Sequence, residues 1–264
     1  MKIGFIGCGN MSRAMIGGII RSKAASPEDI FVSSKTADSV EKAINDFGVV
    51  GCFDNRKVVE NADIIIFGVK PQIYEEVMKE TADLFDGKKI AVSIAPGKSI
   101  SWMEELLGSD TKIVRCNPNT PAMVGEGITA YCANSRVDEA DLEQIRLILE
   151  SFGKSCEMSE SQMAAFISVC GSSPAYIFML IDAMADGGVL GGIPKAKAIE
   201  LAAQAVLGSA KMVLETGMHP AQLRDMVCSP AGTTIEAVKV LEEKGFRSAL
   251  IEAEAACKDK CRRM

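Results

Sequence analysis

Histidine is almost missing from this chain. The single residue, His219, directly precedes Pro220 at an apparent helix start, where a capping role fits better than proton transfer. The nine cysteines are odd in number, scattered and without a CxxC pair. Cys257 and Cys261 lie one helical turn apart, but no histidine or second cysteine pair joins them into a zinc site, so no metal is expected. Thiols used this way fit a reduced, cytoplasmic setting. No apolar run reaches the roughly 18 residues of a membrane span, so no membrane partner is expected. Asn10 and Arg13 interrupt the apolar N-terminus, so a signal peptide is not expected there. Basic residues are outnumbered, 29 against 35 acidic, and form no stripe, so no nucleic-acid partner is expected.

The 264 residues are 48% hydrophobic and 24% charged, enough to bury a substantial core. In the first half, short apolar runs alternate with amphipathic ones. KIGFIG, DIFVSS, VVGC, ADIIIFGV, KKIAVSIA and TKIVRCN read as strands, with helical segments between most of them. This is the pattern of an α/β fold with a doubly wound, mainly parallel sheet. From about Ser159 only helical periodicity remains, rich in alanine and glycine and poor in aromatics. The expected division is 1–158, nucleotide-binding, and 159–264, all-α, with the second half burying its apolar faces against another copy in a homodimer.

The first strand closes on IGCGNM, and a helix follows directly. Gly7 permits the tight turn and Gly9 lets a pyrophosphate approach the helix N-terminus, with Ser12 at the place of a third glycine. That context makes the first half a Rossmann domain. The second strand ends in Ser33, Ser34 and Lys35, where an NAD enzyme usually carries a carboxylate. Hydroxyls and a cation favour NADP(H), with NAD(H) as the alternative. Asn55 and Arg56 are placed to approach the same pocket. GVKPQ and SIAPG put Lys70, Pro71, Ile94, Ala95 and Pro96 at strand ends where ligands bind, and Asn119 in RCNPNTPAMVGEG is expected to contact nicotinamide.

Hydride transfer to a ketone usually needs a general acid. The long helical stretch 162–187 holds no lysine or arginine, which argues against a β-hydroxyacid dehydrogenase; it has GSSPAY instead, where Pro174 should kink or restart the helix. A protonated imine is already electrophilic and needs mainly positioning and a partner at nitrogen. SPAGTTIEA supplies this: amides at a helix start to hold a carboxylate, and threonine hydroxyls to meet a ring nitrogen.

GFIGCGNM, VKPQ, NPNTPA, GSSPAY with DGGV, HPAQLRDMV and CSPAGTTIEAVKVLEEKGFRSAL together resemble the pyrroline-5-carboxylate reductases over nearly the whole chain. The resemblance implies interlocked dimers, often five of them in a decamer, with an active site between the nucleotide domain of one subunit and helices of its partner. It implies NAD(P)H-dependent reduction of Δ1-pyrroline-5-carboxylate to proline. Ser229, Ala231, Gly232 and Thr233 would hold the substrate carboxylate. Thr234 would meet the ring nitrogen, and Ser172 and Ser173 would lie near substrate and nicotinamide, with Thr234 and Ser172 as the catalytic candidates. Cofactor contacts would fall on Ile6, Gly7, Cys8, Gly9, Asn10, Met11, Ser34, Lys35, Asn55, Val69, Lys70, Pro71, Ile94, Ala95, Pro96 and Asn119. Ala231 and Ser173 stand where the family commonly has glycine, and Met226 where some members carry a polar contact. A reductase for a related cyclic imino acid, and a non-catalytic dinucleotide-binding dimer, are the alternatives.

Overall fold

The computed structural model describes residues 1–263, which form two compact units. The first runs from the N-terminus to Ser172 and takes the chain back from Cys257; the second is Ser173–Ala256. The division expected at 158/159 thus differs from the one the contacts make. Met163 and Phe166, just past the expected boundary, bury in a core cluster of the first unit and draw the start of the helical segment with them.

In the first unit, strands and helices alternate as β1 (Ile3–Ile6), α1 (Asn10–Ser22), β2 (Ile30–Ser33), α2 (Ala37–Phe47), β3 (Val50–Cys52), α3 (Asn55–Asn61), β4 (Ile64–Phe67), α4 (Tyr74–Thr81), β5 (Ile90–Ser93), α5 (Ile100–Leu107) and β6 (Lys112–Asn117). Then come β7 (Gly127–Ala133), α6 (Glu139–Glu150) and β8 (Gly153–Glu157). The sheet order is β3-β2-β1-β4-β5-β6-β7-β8. All pairs among β1 to β6 are parallel; β7 runs antiparallel to β6, and β8 parallel to β7.

The strands are short and apolar because helices cover both sides. Along β4, Ile64 and Ile66 join Met15, Ile16 and Ile19 of α1 in one core cluster. Ile65 and Phe67 point the other way, to Val58 and Val59 of α3 and Met78 of α4. Each such side chain, fully buried, contributes about 1.5–3 kcal/mol of transfer free energy. β7 and β8 lay outside the sequence reading. GITAYCA is broken by small and polar residues, and GKSCE is a half-exposed edge strand, so neither has the apolar run of a covered strand.

The helical segment opens with a 3-10 turn at Glu160–Gln162, then α7 (Met163–Phe166) and a π-helical turn at Ile167–Gly171. As expected from Pro174, the regular helix restarts there: α8 spans Ser173–Leu190, with the proline in its first turn, where a missing N–H is tolerated.

In the second unit, α8 packs along α9 (Lys195–Thr216), and α10 (Pro220–Val227), α11 (Thr233–Glu243) and most of α12 (Phe246–Arg262) follow. Ala185, Ala198 and Ala202 are buried, and small side chains of this kind let helix backbones approach. Lys195 bridges Asp182 and Asp186, both at 2.7 Å, closing the α8–α9 corner. Much of the remaining apolar surface is open in the single chain: Phe178, Met179, Leu190 and Leu214 are 61–91% exposed. The stretch Glu160–Leu190 is long and apolar enough to cross a membrane, with a mean hydropathy of 1.7, although no unbroken apolar run marks it in the sequence.

Candidate active site

The carboxyl ends of β2, β1, β4, β5 and β6 lie side by side along one edge of the sheet. The chain crosses over from β3 to β4 around β1, the switch point at which open α/β sheets bind ligands. Gly7 has φ +99°, and a Cβ there would sit 2.7 Å from the Gly68 carbonyl and 2.8 Å from Val69 Cγ1. Its N–H donates to the Ser33 carbonyl (2.9 Å), and the Gly68 N–H donates to the Ile6 carbonyl (2.8 Å), so the turns after β1 and β4 are locked together. Gly9 is the N-cap of α1 and has no cap side chain, and a Cβ on it would meet nothing within 4 Å. The first amides of α1, with open space beside Gly9 and no acidic residue in the first turn, fit a dinucleotide pyrophosphate. Cys8 between the two glycines is buried, as are Ile6 and Ala95, so these three shape the floor and leave polar contact to their neighbours. Ser12, at the third-glycine position, is buried against Gly68, and its Oγ has no hydrogen-bond partner among the described residues.

At the end of β2 the polar groups divide their roles. Ser33 Oγ donates to Asn55 Oδ1 (2.8 Å), and Asn55 Nδ2 donates to Glu80 Oε2 (2.8 Å). Arg56 makes a bidentate pair with Asp83 (2.6 and 2.7 Å) and a further bond to the Glu80 carbonyl. The expectation that Arg56 serves the cofactor pocket therefore gives way: its fork is filled by the α3–α4 junction. That hydrogen bonding holds the Asp83 carboxyl below its usual range. Ser34, half-buried, and Lys35, exposed, have no side-chain partner among the described residues and are free to meet a phosphate.

Lys70 is exposed and caps a 3-10 turn opened by Pro71; Ile94 and Pro96 are half-buried beside it at the end of β5. Asn119 has its side chain engaged within the protein. It is 7% exposed, its Nδ2 donates to the Cys170 carbonyl (3.0 Å), and its Oδ1 accepts from the Ile128 N–H (2.9 Å). Both ends of the amide tie the loop to the π turn and to β7, so its side chain holds the loop in place.

Ser172 follows that π turn, and its N–H donates to the Ile167 carbonyl at 2.9 Å. Turns of this kind are frequent at functional sites. Its Oγ lies 3.1 Å from Cys257 Sγ, where α12 returns to the first unit. Further upstream, Glu160 Oε1 accepts from Arg115 Nη1 and the Ile100 N–H, both at 2.8 Å, pinning the start of the helical segment to β6 and α5. The sequence reading missed this anchor and also Tyr74, whose only sequence signal is its place one turn after Pro71.

In the second unit, Ser229 to Gly232 make a tight turn closed by the Gly232 N–H on the Ser229 carbonyl (3.0 Å). Pro230 occupies its second position, and Ala231 in the third has φ +56°. This is the turn type that calls for glycine at that place. The strain foreseen for alanine here is present. Gly232 is the N-cap of α11 and offers no side chain, leaving the first amides of that helix unclaimed. The hydroxyls of Ser229, Thr233 and Thr234 have no protein partner among the described residues, and Thr234 is half-buried. Ser173, half-buried at the start of α8, adds a hydroxyl in that same unit. His219 caps α10, its Nδ1 accepting from the Ala221 N–H at 3.2 Å. Ala231→Gly should stabilise the protein by about 1 kcal/mol, since a left-handed alanine costs about that much. Thermal unfolding of the two proteins checks it; an unchanged or lower Tm would mean the turn relaxes freely.

Most of the thiols are kept from reacting by burial. Burial raises the pKa of Cys8, Cys52, Cys116, Cys132, Cys156 and Cys261, which keeps these six protonated and unreactive. Among the described residues, no group of acids, cysteines or histidine could hold a metal ion.

An uncapped glycine turn at the switch point of a parallel sheet, continued by an all-helical unit, places the protein among the dinucleotide-binding oxidoreductases. The family described as "Pyrroline-5-carboxylate reductase dimerisation" matches residues 160–264, and "NADP oxidoreductase coenzyme F420-dependent" matches residues 2–97. The chain is 48% identical to pyrroline-5-carboxylate reductase of Escherichia coli, over 100% of this chain and 98% of that one. Among solved structures, the Coxiella burnetii pyrroline-5-carboxylate reductase is 35% identical with a TM-score of 0.92, covering 99% of this chain and 97% of that one. The Plasmodium falciparum pyrroline carboxylate reductase with NADP bound is 30% identical, also at 0.92, covering 100% and 97%. The chain belongs to the pyrroline-5-carboxylate reductase family.

Proposed function

We propose that this chain reduces Δ1-pyrroline-5-carboxylate to L-proline with NADPH, using the loop 229–234 to hold the substrate. The loop carries the reading: free amides at the start of α11, three unpaired hydroxyls, and no acid, base or metal ligand within it. The helix N-terminus attracts a carboxylate through its positive end and its N–H donors. Thr234 Oγ1, which can donate to an imine lone pair or accept from an iminium N–H, meets the ring nitrogen. Ser172 and Ser173 are further hydroxyls assigned to the reaction by the family's pattern, Ser172 as the second catalytic candidate.

NADPH supplies the hydride. The α1 amides beside Gly9 take the pyrophosphate, with Asn10 and Met11 at the edge of that cradle. Ser34 and Lys35 take the 2′-phosphate, and Asn55 braces them through Ser33. Val69, Lys70, Pro71, Ile94, Ala95 and Pro96 receive the nicotinamide half. The preference for NADPH over NADH rests on the absence of a carboxylate at the end of β2 and is supported by the NADP-bound Plasmodium relative.

The chain forms a homodimer through residues 160–264, the part that matches a dimerisation family. The open apolar faces of α8 and α9 are the surface a second copy covers, in place of lipid around Glu160–Leu190. Five such dimers make a decamer, and the enzyme works in the cytoplasm.

One experiment tests the activity. Oxidation of NADPH and of NADH is followed with pyrroline-5-carboxylate, with the six-membered piperideine-6-carboxylate, and in reverse with a 3-hydroxyacid. The expected result is fastest turnover with the five-membered imine and a higher kcat/KM for NADPH than for NADH. No turnover with that imine overturns the reading, and faster turnover of the larger ring makes the enzyme a reductase of a related imino acid.

A further inference from the structure

The ends of β4 and β5 are joined by a side chain that belongs to neither. Phe67 and Ser93 are register partners and the last residues of their strands, so the sheet ladder stops at them. Beyond them the chain departs as Gly68–Pro71 on one side and Ile94–Pro96 on the other. The backbone groups at these exits need partners, because a buried amide or carbonyl left alone is costly. The phenol of Tyr74 supplies them. Its OH donates to the Phe67 carbonyl and accepts from the Ile94 N–H at 3.2 Å. Ser93 Oγ lies 3.4 Å from the same oxygen and accepts the next amide, Ala95 N–H, at 3.3 Å. Tyr74 is wholly buried, with its ring tilted against Phe67 at 6.1 Å between centroids. Burial pushes the phenol pKa up to about 12, so the hydroxyl keeps its proton at working pH.

We infer that Tyr74 is a positioning residue for cofactor binding, its hydroxyl setting the separation of the two loops that receive the nicotinamide half. The inference rests on the assignment of Val69–Pro71 and Ile94–Pro96 to the cofactor under the proposed function. Tyr74 opens α4, the helix entered directly from Pro71 through a 3-10 turn, so one rigid element carries both the first loop and the group that fastens the second. One oxygen fixes the carbonyl of one exit and the amide of the other, and neither loop can move without losing a buried hydrogen bond. A phenylalanine would keep the ring packing and remove only this fastening.

The test compares wild type, Tyr74→Phe and Ile148→Val, a control that trims the core on the α6 side of the sheet. NADPH affinity is read directly by quenching of reduced-nicotinamide fluorescence, with Tm and steady-state kinetics alongside. Tyr74→Phe should raise the Kd and KM for NADPH about five- to twenty-fold, the effect of losing one buried positioning bond. At saturating NADPH, kcat and the KM for the imine should stay within about two-fold, and Ile148→Val should lower Tm without changing the Kd. A lower Tm with an unchanged Kd in Tyr74→Phe overturns the inference, as does an equal loss of affinity in the control. Because the Kd is read without imine, wild type that binds NADPH but fails to reduce pyrroline-5-carboxylate refutes the activity alone, and the Tyr74 comparison still decides.

Discussion

Thr234→Ala should lower kcat by about 10- to 10³-fold while leaving the Kd for NADPH unchanged, because a lost hydrogen bond to the reacting nitrogen costs roughly 1.5–4 kcal/mol in the transition state. The hydroxyl has no partner among the described residues, so its removal orphans nothing there. It lies in the first turn of α11, where alanine is at least as good a helix former. Tm should therefore move little, which separates this variant from one that merely unfolds. Thr234→Ser should retain most of the rate, since the oxygen stays. The measurement is steady-state NADPH oxidation at saturating cofactor with pyrroline-5-carboxylate varied. Wild-type turnover in Thr234→Ala would make the residue packing and leave Ser172 as the remaining hydroxyl candidate.

Gly7→Ala should weaken NADPH binding at least about ten-fold and destabilise the first unit by about 3 kcal/mol, combining a disfavoured φ with overpacking. At φ +99°, the added Cβ would sit 2.7 Å from the Gly68 carbonyl, and backbone atoms on both sides would have to shift. Those atoms hold the Gly7–Ser33 and Gly68–Ile6 hydrogen bonds that lock β1, β2 and β4 at the ligand edge. Gly9→Ala is the contrast. Its φ of −77° suits any residue, and its Cβ would enter open space, so Tm should hold while the pyrophosphate cradle fills and the KM for NADPH rises. Thermal unfolding and fluorescence titration of both variants check the pair. Equal Tm losses in the two would mean that the space beside Gly9 belongs to the fold and not to a ligand.

Much of this site can be read from spacing along the chain. Gly7 and Gly9 after an apolar strand, Ser34 and Lys35 at the end of the next, and SPAGTT before a helical period are each local, and each is found where local rules place it. The side-chain roles that the structure redraws belong to residues whose partners are far away in sequence. Arg56 reads as a phosphate ligand until Asp83, 27 residues on, fills its fork. Asn119 reads as a loop residue near the cofactor edge, and only the fold shows its amide donating to Cys170, 51 residues on. Strand β8 escaped notice because edge position lets it be polar, and β7, though paired on both sides, because small and polar residues interrupt its apolar run.

By itself the sequence determined the order of strands β1 to β6 and the helical character of the second half, the glycine turn and the residue types of the loop 229–234. These depend on backbone preferences and side-chain types within a few residues of one another. The tertiary structure alone decided which polar groups are spent on the fold and which stay free for a ligand. It also decided that Ala231 takes a positive φ and that one buried phenol joins two strand ends. Such assignments depend on which strands become neighbours in the sheet, where hydrogen bonds must be completed between residues that no local pattern connects.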